Sequence, residues 1–516
     1  MPRQSRNRWL LGSLSFLLGG VCLSPGYAAD WDRFRGPNGT GVSAADQPLP
    51  TEWSETSNLK WKTALPGPGL SSPIVVGDKI FVTCWSGYGT SREDLGDMDD
   101  LVRHVVCLDR KSGSITWDKT IPAVLPEEEF RGMFAENGYA SHTPVSDGER
   151  VYAFLGKSGV YAFDFDGNEL WHKDVGSGDD RRGWGTASSP VIYKDLLIVP
   201  AFIEDHALVA FDKQTGEEKW RQEADGFNST WSTPVLVKVD EERTDLVVSV
   251  PYEVWGLNPD SGKLRWYANS VDSDSICSSL LVHDDVVYIV EGRNGGAAAI
   301  RAGGSGDVNG THVLWSNKSR GRISTPLYDD GALCWIAGGI LNRVDAATGE
   351  EIGRPLRLER SSGDAAASGS GEPRGDRPEG GERYRGDREG GLGGPRPDGG
   401  DRASDDRSGG DRPGGDRPEG GRFGGGPPGG FGGRGGFGGG RMGGQDYSSP
   451  VLADGKVYYV TRSGDGIVVK LGEQPEQLAT NCFESDTSDY SATPAISNGQ
   501  LFIRSNQFLY CVTKTD

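Results

Sequence analysis

Short runs of alternating apolar residues recur along this chain, each cut by a Gly-Asp or Asp-Gly type of turn and followed by a second run rich in Val, Ile and aromatics. Such alternation predicts strands. The unit is clearest after Ser188-Ser189-Pro190. An apolar run Val191–Tyr193 turns at Lys194-Asp195, continues through Leu196–Pro200 and Ala207–Asp212, turns again at Thr215-Gly216 and ends in Glu218–Gln222. Four short strands result, and four-stranded units repeated about an axis build a β-propeller.

The second half of each unit carries a phrase, Asp/Asn-x-x-[Ser/Thr]-Gly-x-x-x-Trp. It places Asp109, Gly113 and Trp117 in one copy, Asp212, Gly216 and Trp220 in a second, and Asn258, Gly262 and Trp266 in a third. A copy one residue shorter holds Asp164 and Trp171, and one without its tryptophan holds Asp345 and Gly349. Asp or Asn bonds the turn backbone, and Gly accepts a positive φ. First strands marked by Pro73, Pro144, Pro190, Pro234, Pro326, Pro450 and Pro494, plus a proline-free start at Cys277–Leu280, give eight units. The last has only three strands. Leu59–Leu65, with Trp61 and no unit before it, supplies the fourth and closes the ring, which leaves no long sheet edge open. The predicted fold is all-β: an eight-bladed propeller of four-stranded antiparallel blades, closed by an N-terminal strand.

Composition adds two segments outside the ring. Residues 1–29 run basic, apolar, then small, in the order of a signal peptide, and the apolar part is too short and broken for a membrane span. Residues 30–58 form an extension, 59–359 the closing strand and blades one to six, and 446–516 blades seven and eight. Between them, residues 360–445 are Gly, Pro, Asp and Arg with almost no aliphatic side chain. That stretch cannot bury enough apolar surface to order itself and is expected to be a disordered surface excursion. The net charge of −20 argues against nucleic acid as a partner. Export permits disulfides. Cys84 and Cys107, on the second and third strands of blade one, can pair across them or remain free thiols.

Propeller geometry locates a site without a motif. Loops entering the innermost strands, and loops between second and third strands, converge on one mouth of the central channel. They bring Tyr88, Arg103, His104, Tyr139, His142, Trp184, Trp231, Arg293, Arg322, Tyr447, Arg462 and Tyr490 toward it as candidates for a ligand or partner, although the aromatics can equally pack between blades and the hydroxyls bond neighbouring strands. The acidic loop Ser86–Arg103 matches no calcium-loop spacing and the histidines no zinc spacing, so no metal is expected. Neither a Gly-x-Ser-x-Gly elbow nor a phosphate loop occurs, and no catalytic residue is assigned.

The repeated phrase resembles the tryptophan-docking repeats of quinoprotein-type, PQQ-like propellers. The stretch Trp31–Ser43, with Gly138–Pro144 and Trp255–Trp266, resembles exported BamB-like bacterial proteins. The BamB resemblance implies a non-catalytic, monomeric envelope propeller in the periplasm that presents its mouth to a protein or small ligand, without a cofactor. The quinoprotein resemblance implies the alternative, a PQQ-dependent alcohol or sugar dehydrogenase with PQQ and Ca²⁺. This chain lacks the adjacent cysteine pair of many such enzymes.

Overall fold

The computed structural model describes residues 30–43, 47–292, 295–361 and 445–515. The expected signal peptide, Arg293 and the insertion between 362 and 444 lie outside the described residues.

Eight antiparallel sheets follow one another, and seven take all four main strands in chain order. The first holds Ile74–Val76, Lys79–Ser86, Val102–Asp109 and Ile115–Pro122. The eighth holds Ala495–Ser497, Gln500–Arg504 and Phe508–Thr513, and its outer strand is Leu59–Ala64, with Trp61 opposite Cys511 and Ala64 opposite Phe508. Closure by the N-terminal strand is therefore as expected. The degenerate fifth unit is a complete blade, from Leu281–His283 to Val313–Asn317. Helix among the described residues is confined to single turns such as Phe134–Asn137.

The core lies between blades. One cluster joins Tyr152, Phe154 and Val160 of blade two to Leu197, Val199 and Phe211 of blade three. The repeated phrase seals each such joint on its outer side. Trp171 lies on the next blade's turn so closely that a Cβ on Gly216 would sit 2.7 Å from its ring, and Gly216 holds φ +70°. The indole N–H of Trp171 donates to Lys213 O at 3.2 Å. Trp61, Trp117 and Trp220 repeat the arrangement, donating to Arg110 O, Phe165 O and Pro259 O at 3.0–3.1 Å. Trp315, which the sequence reading did not single out, does the same on Ala346 O at 2.9 Å, against Gly349.

Trp266 departs from this pattern. It is fully buried within its own blade, its indole N–H donating to Asp245 Oδ2 at 2.7 Å. The reason lies in blade five, whose corresponding turn, Ala302–His312, lacks the Asp-x-x-x-Gly landing surface. A short strand, Gly306–Asp307, instead pairs in parallel with Trp266 and Tyr267 as a fifth strand of blade four.

The inner ends of the blades are tied by a belt of hydroxyls. The residue before each marker proline, or before Leu280 in blade five, is Ser or Thr: Ser72, Thr143, Ser189, Thr233, Ser279, Thr325, Ser449 and Thr493. Each of the first seven donates its backbone N–H to the hydroxyl of the next, at 3.0–3.1 Å. The joint between blades eight and one is held by the buried Arg504, whose guanidinium donates to Ser71 O and Thr83 O at 2.7 Å each. Buried N–H groups at the hub are thus satisfied by neighbouring blades, as burial requires.

The N-terminal extension crosses the channel beyond this belt. Trp31 bridges Val75 of blade one and Val42 bridges Leu452 of blade seven. Between them the fully buried Arg35 donates to Gly39 O, Thr40 O, Thr325 O, Pro326 O and Pro450 O at 2.7–3.2 Å. Burial pushes its pKa down to about 9, so it stays charged at neutral pH, compensated by carbonyl dipoles. Arg33 donates to Pro234 O at 3.1 Å and Asn38 to Leu236 O at 2.8 Å. The extension is a plug.

All six described cysteines are free. Cys84 faces His104 and Cys107 faces Phe81, so the two thiols are out of register and the cross-strand disulfide does not form.

Candidate functional site

At the mouth, the segment between blades one and two arches over the channel. Its single helical turn Phe134–Asn137 carries Glu136, which pairs with Arg462 of blade seven and with Arg92 at 2.7 Å. Asn137 Nδ2 donates to Trp184 O of the loop into blade three at 2.7 Å. Arg462 also pairs with Asp489 at 2.7 Å and lies 5.6 Å from the Tyr447 ring. The arch is thereby fastened at both ends of the mouth.

Beneath it opens a cavity of about 140 Å³. Its floor is the hydroxyl belt together with Phe34 of the plug, and its walls include Leu70, Met133, Trp184, Trp231, Ile323 and Tyr447. Trp184 and Trp231 stand 4.9 Å apart at 34°, and the Trp231 indole N–H donates to Gly185 O at 2.6 Å. The guanidinium of Arg322 lies 5.7 Å from the Trp184 ring. Arg322 is the one charged side chain in this lining, which holds no Asp, Glu, His or Lys. Burial pushes the Cys277 thiol well above its ordinary range, so it is no ready thiolate.

A second, smaller cavity of about 30 Å³ adjoins it, sharing Ser141 in its wall. Arg103, Tyr139 and His142 line it, together with Glu127, Glu128 and Glu204. Arg103 is buried and pairs with Glu127 at 2.6 Å. His142 donates from Nδ1 to Ser188 O at 2.7 Å, packs against Phe154, and is pushed down to about 4 by burial.

Of the twelve mouth candidates, four (Trp184, Trp231, Arg322 and Tyr447) meet in the larger cavity and three (Arg103, Tyr139 and His142) in the smaller. Arg462 fastens the arch. Tyr88 packs with Trp85, Leu101 and Phe134. His104 is buried against Ser86 and Asp118 at 2.8 and 2.9 Å. Tyr490 is buried with its hydroxyl on Asp486 at 3.0 Å. Arg293 lies outside the described residues. Sequence reasoning missed Glu128 and Glu204 as a pair, since no spacing relates them. It also missed the belt, although a hydroxyl residue at the same position of all eight units was a readable signal.

A calcium ion needs several oxygen ligands, carboxylates foremost. The larger cavity has no carboxylate in its lining, and among the described residues no three His, Cys, Asp or Glu side chains are gathered to hold a metal. The residues present therefore do not fit a Ca²⁺-bound quinone at this mouth, and no redox step is derived through one.

Residues 102–354 match the family model described as outer membrane protein assembly factor BamB. No curated protein matches at a significant level. Among solved structures, BamB from Moraxella catarrhalis is similar at 9% identity and a TM-score of 0.50, covering 88% of this chain and 99% of that one. A europium-containing methanol dehydrogenase is similar at 11% identity and a TM-score of 0.50, covering 93% and 90%. At such identities the likeness is one of fold. No helix among the described residues is long and apolar enough to cross a membrane. Over residues 102–354 the chain is thus similar in sequence to the BamB-type, PQQ-like repeat family, and it shares that family's eight-bladed β-propeller fold.

Proposed function

We propose that this propeller is a non-catalytic binding scaffold of the cell envelope, taking a protein segment or small ligand at its mouth. The lining of the larger cavity carries the reading. It offers two indoles, a phenol, belt hydroxyls and one guanidinium, with no carboxylate, imidazole or amine to move a proton. Binding needs apolar walls with a few placed polar groups, which are present. General acid–base chemistry needs a titratable group within reach, and this lining supplies none poised near neutral pH. Arg322 beside Trp184 suits an aromatic or acidic group on the occupant, held by stacking and charge together. Export to the periplasm is part of this reading, supported by the signal-peptide-like order of residues 1–29 and by the likeness to BamB.

A photo-crosslinker at position 322 should capture an envelope partner, and Trp184→Ala should abolish that capture while leaving the fold intact. Capture from probes on the opposite face alone would count against the mouth. Purified protein given PQQ and Ca²⁺ should show no dye-linked oxidation of alcohols or sugars; saturable quinone binding with turnover would sink the scaffold reading.

A further inference from the structure

The smaller cavity stands apart from the proposed scaffold role and does not depend on it. Three buried acceptor atoms in its lining residues have no partner: Oε2 of Glu128, Oε2 of Glu204 and Nε2 of His142. Glu204 is 4% exposed and His142 is 3% exposed. Because His142 Nδ1 faces the Ser188 carbonyl, the proton sits on Nδ1, and Nε2 presents a bare lone pair.

Donors in the wall are already engaged. Arg103 donates to Glu127, to Ser158 Oγ at 3.0 Å and to Tyr139 O at 3.2 Å. Lys157 donates to Pro126 O at 2.8 Å and to Asp179. Against these two cations the lining sets five carboxylates, Glu127, Glu128, Asp179, Asp180 and Glu204. Unpartnered buried acceptors cost free energy, and a net negative wall favours a cation.

We propose that this cavity is a binding site for a primary ammonium group. Such a group brings one positive charge and N–H donors to a wall that has bare acceptors and excess negative charge. A cavity of about 30 Å³ has room for a water or two and so for a compact ammonium head. A bare metal ion lacks a gathered ligand set here. The ammonium could be the tip of a partner's lysine or a free small amine, since both present the same head.

The test is calorimetric titration of the full mature chain with methylammonium chloride, against tetramethylammonium at equal ionic strength. Saturable binding of methylammonium without binding of tetramethylammonium, weakened at least tenfold by Glu204→Gln, is the expected result. Glu128→Gln provides a second variant, its fold checked by circular dichroism, and should weaken binding likewise. A lysine-bearing peptide binding more tightly than methylammonium points to a partner's side chain; the reverse order points to a free amine. Equal responses to the two ammonium ions, or methylammonium binding unchanged in both variants, would overturn the assignment. The scaffold reading would survive that failure, because its crosslinks are read at position 322 in the other cavity.

Discussion

Gly216→Ala tests the joint between blades two and three at a single atom. The added Cβ carries two costs. A left-handed φ of +70° costs a non-glycine residue about 1–2 kcal/mol. The new atom would also lie 2.7, 2.9 and 3.0 Å from three atoms of the Trp171 ring, so the indole must withdraw. A withdrawal of about 0.5–1 Å forfeits a quarter to a half of each contact. It also stretches the 3.2 Å bond to Lys213 O, worth about 1 kcal/mol. The expected loss is about 2–4 kcal/mol, read as a lowered urea midpoint at unchanged slope. Trp171→Ala alone should cost about 3–5 kcal/mol. In the double variant there is no ring to strike, so the combined loss should fall short of the sum by about 1–2 kcal/mol. Strict additivity, or a loss under about 0.5 kcal/mol for Gly216→Ala, would refute the docking argument.

Three further outcomes are expected. Arg35→Met strands the carbonyls of Thr325, Pro326 and Pro450 and should cost about 3–5 kcal/mol, with residues 30–43 becoming open to protease while the blades stay folded. Thr233→Val removes the acceptor for Ser189 N–H in the belt and should cost about 1–3 kcal/mol by chemical denaturation, whereas Thr233→Ser should cost far less. Burial raises Glu204 to about 7, above its unfolded value, so its contribution is most favourable at low pH and declines as pH rises through 7. Stability should therefore drop by about 1 kcal/mol from this group between pH 6 and pH 8, with Glu128, raised by burial and then by Asp180 and Asp179, adding in the same direction. Glu204→Gln should flatten the profile, and an unchanged slope would contradict the burial argument.

The joints were readable because each is written locally. Asp212, Gly216 and Trp220 lie within nine residues, and turn chemistry alone says what Gly216 does. Trp61 could be assigned to ring closure because a docking strand without a blade has one place to go. Trp266 was read as one more copy, since the phrase is intact; what changed its fate was the missing landing turn thirty-odd residues later in blade five. Arg35 gave no local signal at all. Its partners are 290 and 415 residues away, and its role exists only once the ring has brought them together. Glu128, Glu204 and His142 meet for the same reason: loops of successive blades fold onto one mouth.

The plug also sets an order of assembly. Its segment precedes the blades in the chain, yet Arg35 can be satisfied only after blades six and seven exist, and Trp61 has its pairing partner only when Cys511 has been made. Contacts that span over four hundred residues are slow to form. Residues 30–43 and the strand Leu59–Ala64 can seat only after the later blades have folded. A chain cut short anywhere before residue 508 would leave the waiting strand without its place and the hub without its last joint. Closure of the ring is thus registered by segments that precede it in the chain, which seat only on finished blades.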